Sequence, residues 1–219
     1  MKSFDETWEK IHETTEWGKY PAEPIIRFVA RNYYKEDRKS IKILDYGCGA
    51  GSHTWYLARE GFDTYAFDGS KSAVERERTR LQREGLEAKF NVSDALQLNY
   101  EQNFFNCIID AAVVYANKIN DIILMFKNIY GMLKKGGKLF SISFSTATTG
   151  YKMGKEIEKN TFIDIEKGSL KDRGTVHFFE EEELYTLLSE IGFKDIKVDK
   201  MWFTDNGNIV EEFLVQAEK

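Results

Sequence analysis

The chain is 219 residues long and 42% apolar, enough material for one sizeable α/β domain, which excludes wholesale disorder. Its formal charge of −5 at pH 7 argues against a protein that coats nucleic acid, since that task calls for a basic face. Cys48 and Cys107 stand far apart and form neither a disulfide framework nor a C-x-x-C metal knuckle, and no apolar run is long enough for a membrane-spanning helix. The acidic residues 1–6 are not a signal peptide, so a reducing, cytoplasmic setting is the expectation.

Residues 1–40 read as a helical preface whose large side chains are Trp8, Ile11, His12, Trp17 and Tyr20. Pro21 and Pro24, the only prolines, suit the first turn of a second helix, where a missing N–H costs nothing. That helix carries Ile25, Ile26, Phe28 and Val29 on its apolar side. From residue 41 strands and helices alternate. Strand 41–46 runs into glycines, and helix 52–60 stops at Gly61. Strand 63–67 precedes a charged helix over 70–84, closed by Gly85. Strand 88–92 follows. The apolar run 107–114 reads as a central strand buried on both faces. A helix over 121–133, a turn at 134–137 and a strand over 138–144 come next. Residues 145–176 lose periodicity. A helix over 180–191 stops at Gly192, and 194–198 and 209–217 read as closing strands. Alternation of this kind predicts a mostly parallel sheet with helices on both faces, and ligands bind beyond the C-terminal ends of such strands.

The first of those ends reads Ile43-Leu44-Asp45-Tyr46-Gly47-Cys48-Gly49-Ala50-Gly51. Gly47, Gly49 and Gly51 allow a sharp turn and a close approach of backbone to a ligand. The helix opening at Ser52 aims its N–H groups at the loop. The alternate glycines depart from the G-x-G-x-x-G of a dinucleotide fold, and Asp45 stands two residues ahead of Gly47.

This run resembles the cofactor motif of the class I methyltransferases that use S-adenosyl-L-methionine (SAM), and motif order and spacing agree over roughly residues 41–145. The resemblance implies a three-layer α/β/α sandwich, a Rossmann-like fold with a seven-stranded, mostly parallel sheet and an antiparallel last strand. It implies residues 1–40 as an N-terminal helical cap, 41–219 as the core, and 145–176 as a substrate-covering insert. It also implies SAM as cofactor and S-adenosyl-L-homocysteine (SAH) as product. Asp45 would then serve the cofactor's ammonium group, and Gly47, Cys48, Gly49, Gly51 and His53 would line it.

Asp68, with Gly69 and Ser70, lies where an acidic residue takes both ribose hydroxyls. Ser93, Asp94 and Ala95 match the adenine-contact motif. Asp110 and Ala111 end the central strand near the ligand, and an aspartate in that apolar run needs a partner or a function. Tyr20 would pack near the sulfonium and Arg27 would grip the cofactor carboxylate. Methyl transfer needs alignment and, for a hydroxyl acceptor, a proton acceptor. His177 is the first candidate for that base or for an acceptor contact. Tyr115 is the second catalytic candidate and, with Asn117, a pocket residue. No metal site is expected.

The chain has no proline after Pro24, hence no Asp/Asn-Pro-Pro-aromatic motif of amino-group methylases of nucleic acid, and no Pro-Cys nucleophile. A small-molecule oxygen or nitrogen acceptor is therefore the preferred reading, with no nucleic-acid or membrane partner. A non-catalytic SAM-binding module and an NAD(P)-dependent oxidoreductase remain as alternatives.

Overall fold

The computed structural model describes residues 3–15 and 17–219. In chain order its helices are α1 (Glu6–Thr14), α2 (Glu23–Tyr33), α3 (Ser52–Arg59), α4 (Lys71–Arg83), α5 (Ile119–Met132) and α6 (Glu181–Ile191). Its strands are β1 (Lys42–Tyr46), β2 (Asp63–Asp68), β3 (Lys89–Val92), β4 (Phe105–Ala111), β5 (Leu133–Phe144), β6 (Lys155–Glu158), β7 (Thr161–Ile163), β8 (Val176–His177), β9 (Lys194–Asp205) and β10 (Asn208–Glu218).

Seven strands form one sheet in the order β3-β2-β1-β4-β5-β10-β9. All neighbours from β3 to β5 run parallel, and β10 is antiparallel to both β5 and β9. The seven-stranded, mostly parallel sheet with an antiparallel last strand is thus present as expected. Residues alternate between its two faces, so one strand feeds two cores. Ile43, Cys107, Ile109 and Phe140 pack against Ile25, Phe28 and Val29 of α2 and Leu57 of α3. Leu44, Ile108 and Leu139 pack with Ile122, Phe126 and Ile129 of α5 and Leu184 and Leu188 of α6. Helix α2 is therefore built into a sheet face, while α1 lies against α4 at the C-terminal end of the strands. No helix among the described residues is long and apolar enough to cross a membrane.

Three segments differ from the sequence expectation. Residues 145–176 contain β6 and β7, which join β8 in a second, antiparallel sheet. These strands are two to four residues long, too short for alternation to register. The predicted turn at 134–137 is an excursion within β5: Phe105 pairs with Leu133 and Cys107 with Lys138, and Gly136 takes φ +74° at the bulge. The closing strands run longer than their apolar pattern, because β9 is a largely exposed edge strand and its polar residues hide the period. Asn206 and Gly207, both at positive φ, make the two-residue hairpin turn between them.

Phe28 is buried and sits 4.8 Å, centroid to centroid, from Phe140. Phe28→Ala is expected to lower unfolding free energy by about 3–4 kcal/mol, read from urea denaturation; a loss below about 1 kcal/mol would mean that α2 is not part of the core.

Candidate active site

The C-terminal ends of β1, β2, β4 and β5 open onto one cavity of about 520 Å³, at the place where strand order reverses between β1 and β4. The floor is the loop after β1, and its glycines are required there. Gly47 has φ +70°, and a Cβ on it would lie 2.6 Å from Val113 Cγ2 in the loop after β4. Gly51 has φ +77°, and a Cβ there would meet the Glu77 carboxyl of α4 at 2.0 Å. The loop is thus pressed between two neighbouring elements and admits no side chain at either point.

Asp68 forms one wall. Its Oδ2 accepts the Gly49 N–H at 2.8 Å and its Oδ1 accepts the Ser70 N–H at 2.8 Å. Burial pushes its carboxyl upward, against the pull of those two donors. Asp45 lies beneath the loop and is fully buried. The Thr54 hydroxyl donates to its Oδ2 at 2.6 Å, and its Oδ1 has no hydrogen-bonding partner among the described residues. Burial raises this carboxyl too, opposed by His53, whose Nδ1 is 4.0 Å from Oδ1.

The end of β4 is held by Asp110. Its Oδ1 accepts the N–H groups of Val113 and Val114 at 3.0 and 3.2 Å, and the Ser141 hydroxyl donates to its Oδ2 at 2.6 Å. This network fixes Ala112 at φ +60°, a strained conformation for a residue with a Cβ, and turns the chain over the cavity. Burial pushes the Asp110 carboxyl up to about 6, with the three donors holding it lower than burial alone would.

The roof comes from α1 and the segment before α2. Trp8, His12, Trp17 and Tyr20 all line the cavity. His12 sits over the glycine loop, close enough that a Cβ on Gly49 would lie 3.2 Å from its Cε1. Burial lowers its pKa, with Asp68 opposing, which favours the uncharged imidazole.

Residues 37–192 match the family described as a methyltransferase domain. The chain belongs to the class I, SAM-dependent methyltransferases. It is 28% identical over 134 residues to a ubiquinone biosynthesis O-methyltransferase from Pelagibacter ubique, covering 58% of this chain and 55% of that protein. It is 23% identical over 177 residues to the protein of the same name from Rickettsia felis, covering 80% and 69%. The chain therefore spans little more than half the length of the first of these relatives. A SAM-dependent methyltransferase from Methanosarcina mazei superposes with a TM-score of 0.68 at 24% identity, over 81% of this chain and 92% of that one. An N-methyltransferase from Bradyrhizobium japonicum in complex with SAH gives 0.68 at 17% identity, over 98% and 99%. These structures share the fold.

The residues at the site fit an adenosyl cofactor. Each Asp68 oxygen spends one lone pair on a backbone donor and keeps another for a ribose hydroxyl. The orphaned Asp45 Oδ1 is an acceptor waiting for a donor beneath the loop.

Of the residues named from sequence, Gly47, Cys48, Gly49, His53, Asp68, Gly69, Ala95, Ala111, Tyr20, Tyr115 and Asn117 line the cavity. Asp45, Gly51, Ser70 and Asp110 stand behind the wall and shape it; Ser70 caps α4 by accepting the Ala73 N–H. Ser93 and Asp94 are also outside the lining. The Asp94 carboxylate accepts the N–H groups of Ser3, Phe4 and Leu96 and the Ser3 hydroxyl, so it ties down the N-terminus.

Two further expectations are corrected. His177 is 1% exposed and outside the cavity, its Nδ1 2.7 Å from the Thr161 hydroxyl and its Nε2 3.2 Å from Glu183. Both ring nitrogens are spent on the β7–β8–α6 junction, which leaves no base. Arg27 pairs with Glu23, one turn away on the outer side of α2, at 3.0 Å and also lies outside the cavity.

Sequence reading missed Phe4, Trp8, His12, Trp17, Glu77 and Arg173. Trp8 and His12 are four apart, so one face of α1 presents both, and that spacing was readable. Nothing local marks Arg173.

Glu77 is fully buried beneath Gly51, neither carboxyl oxygen is hydrogen-bonded among the described residues, and burial pushes it up to about 8 from 4.5. The folded state therefore holds this proton more tightly than the unfolded chain, and stability falls as pH rises from about 4.5 toward 8. Glu77→Gln is expected to remove that decline, with a gain over wild type that is small at pH 5 and reaches about 1–2 kcal/mol at pH 8. Urea midpoints across that range read the effect, and parallel curves would contradict it.

Proposed function

We propose that the protein transfers the methyl group of SAM to an oxygen or nitrogen of a small-molecule acceptor in the cytoplasm. The observation that carries this reading is one cavity that combines two kinds of lining: Gly49, Asp68 and Gly69, which suit an adenosyl group, and the apolar and aromatic Tyr115, Met125, Phe144 and Leu170. The relatives named for O-methylation and the N-methyltransferase of the same fold support the reaction class.

SAM supplies a methyl group already activated by a positively charged sulfur. The protein's share is alignment, exclusion of water and tolerance of that charge. Asp68 in the wall and Asp45 beneath the glycine loop place carboxyl oxygens on that side of the cavity, and burial disfavours a charge on His12 above them. An oxygen or amine acceptor methylated here would release its proton to solvent, since neither His177 nor Tyr115 is available as a base. Tyr115 is held edge-on against Phe144 at 4.8 Å, and burial raises its hydroxyl pKa, so it stays protonated and orients the acceptor by hydrogen bonding rather than acting as a base.

Calorimetric titration with SAM, SAH and NADH tests the assignment. SAM and SAH are expected to bind and NADH not to. Asp68→Ala should weaken SAH by about 2 kcal/mol or more, roughly 30-fold, with the fold intact by circular dichroism, whereas Arg27→Ala should leave it unchanged. Binding of NADH alone would overturn the reading.

A further inference from the structure

We propose that the acceptor carries an oxyanion, a carboxylate or a phosphate, and that Arg173 is the residue that selects it. This rests on the methyltransferase reading and names the substrate class of the same cavity. Arg173 lines the cavity in company with Ser169 and Leu170, on the segment between β7 and β8. Its guanidinium lies 5.8 Å from the Trp8 ring centroid and 5.1 Å from that of Trp17. Among the described residues it has no ion pair and no hydrogen bond to protein, although guanidinium groups facing a cavity ordinarily find a carboxylate. Asp5, an acidic residue in the lining, caps α1 by accepting the Thr7 N–H on Oδ1 at 2.9 Å, and it forms no ion pair with Arg173.

The neighbourhood decides what this cation is for. The two tryptophan rings hold the guanidinium by cation–π contact without using its five N–H donors. The cavity it lines also has apolar walls: Tyr115, Phe144, Met125 and Leu170. A planar fork of donors in such walls fits a small, largely apolar molecule with one oxyanion, which it grips at two points. The cavity thus presents, beside apolar side chains, a guanidinium that has no ion pair or hydrogen bond to protein among the described residues. An anionic acceptor gripped there is oriented by the guanidinium, with its reactive atom directed away from Arg173.

The cofactor's own carboxylate is the competing occupant of Arg173, and the experiment separates the two. Wild type, Arg173→Ala and Arg173→Lys are titrated first with SAH, and then, saturated with SAH, with benzoate, phenyl phosphate and benzamide. SAH affinity is expected to agree within about twofold across the three proteins. At least one of the two anions is expected to bind wild type about tenfold more tightly than benzamide, and which one does tells carboxylate from phosphate. Arg173→Ala should lose that preference, and Arg173→Lys should recover only part, since a point charge cannot make the two-point grip. Equal binding of anions and benzamide, or no binding of either anion, overturns the inference while leaving the cofactor assignment intact. A tenfold or greater loss of SAH affinity in Arg173→Ala also overturns it, by giving Arg173 to the cofactor. Failure of wild type to bind SAH at all sinks the methyltransferase reading, and this inference with it.

Discussion

Asp68 is the hinge of the site. Its two oxygens accept from Gly49 on the loop after β1 and from Ser70 at the start of α4, so one carboxylate stitches together the ends of two adjacent parallel strands. Everything that lines the cavity on that side follows from this stitch. The glycine loop is held open at a fixed height, α4 starts in a fixed direction, and Glu77 on α4 comes to rest beneath Gly51. The cost is a set of buried carboxyls, Asp45, Asp68 and Glu77, all pushed upward by burial. Carboxyls perturbed by burial in this way cluster at functional sites.

Asp110 does the corresponding work on the other side of the switch point. It is equally buried, but all its hydrogen bonds go inward, to Val113, Val114 and Ser141. Its product is the left-handed Ala112 and the close seat of Val113 against Gly47. The two aspartates at the ends of neighbouring strands therefore have different tasks. Asp68 faces the cavity and keeps lone pairs for a ligand; Asp110 faces the core and shapes the wall.

Much of this was legible in the sequence. The alternating strands and helices, the buried central strand at Cys107–Ile109 and the glycine stops follow from periodicity and turn chemistry. Asp45 and the three glycines follow from a contiguous motif, and Asp68 from its place at the end of the second strand, roughly 20 residues further on. The roles of Asp94 and Asp110 were not legible, because a motif shows that an acid is present and not which donors it meets. Asp94 meets Ser3 and Phe4 from 90 residues away or more. His177 failed for a related reason: its partners Thr161 and Glu183 converge only once β7, β8 and α6 have packed. The acceptor end is the least legible, since Trp8, Trp17, Tyr115 and Arg173 come from separate parts of the chain and share no local pattern.

The central claim, that the cavity above β1, β2 and β4 is where the adenosyl cofactor sits, is tested most directly by a crystal structure of the protein with SAH. The account predicts both ribose hydroxyls on the Asp68 carboxylate and the homocysteine part against Gly47–Gly49, with Trp8 and His12 closing over it. SAH bound elsewhere, or in this cavity with Asp68 making no contact to it, would contradict the account.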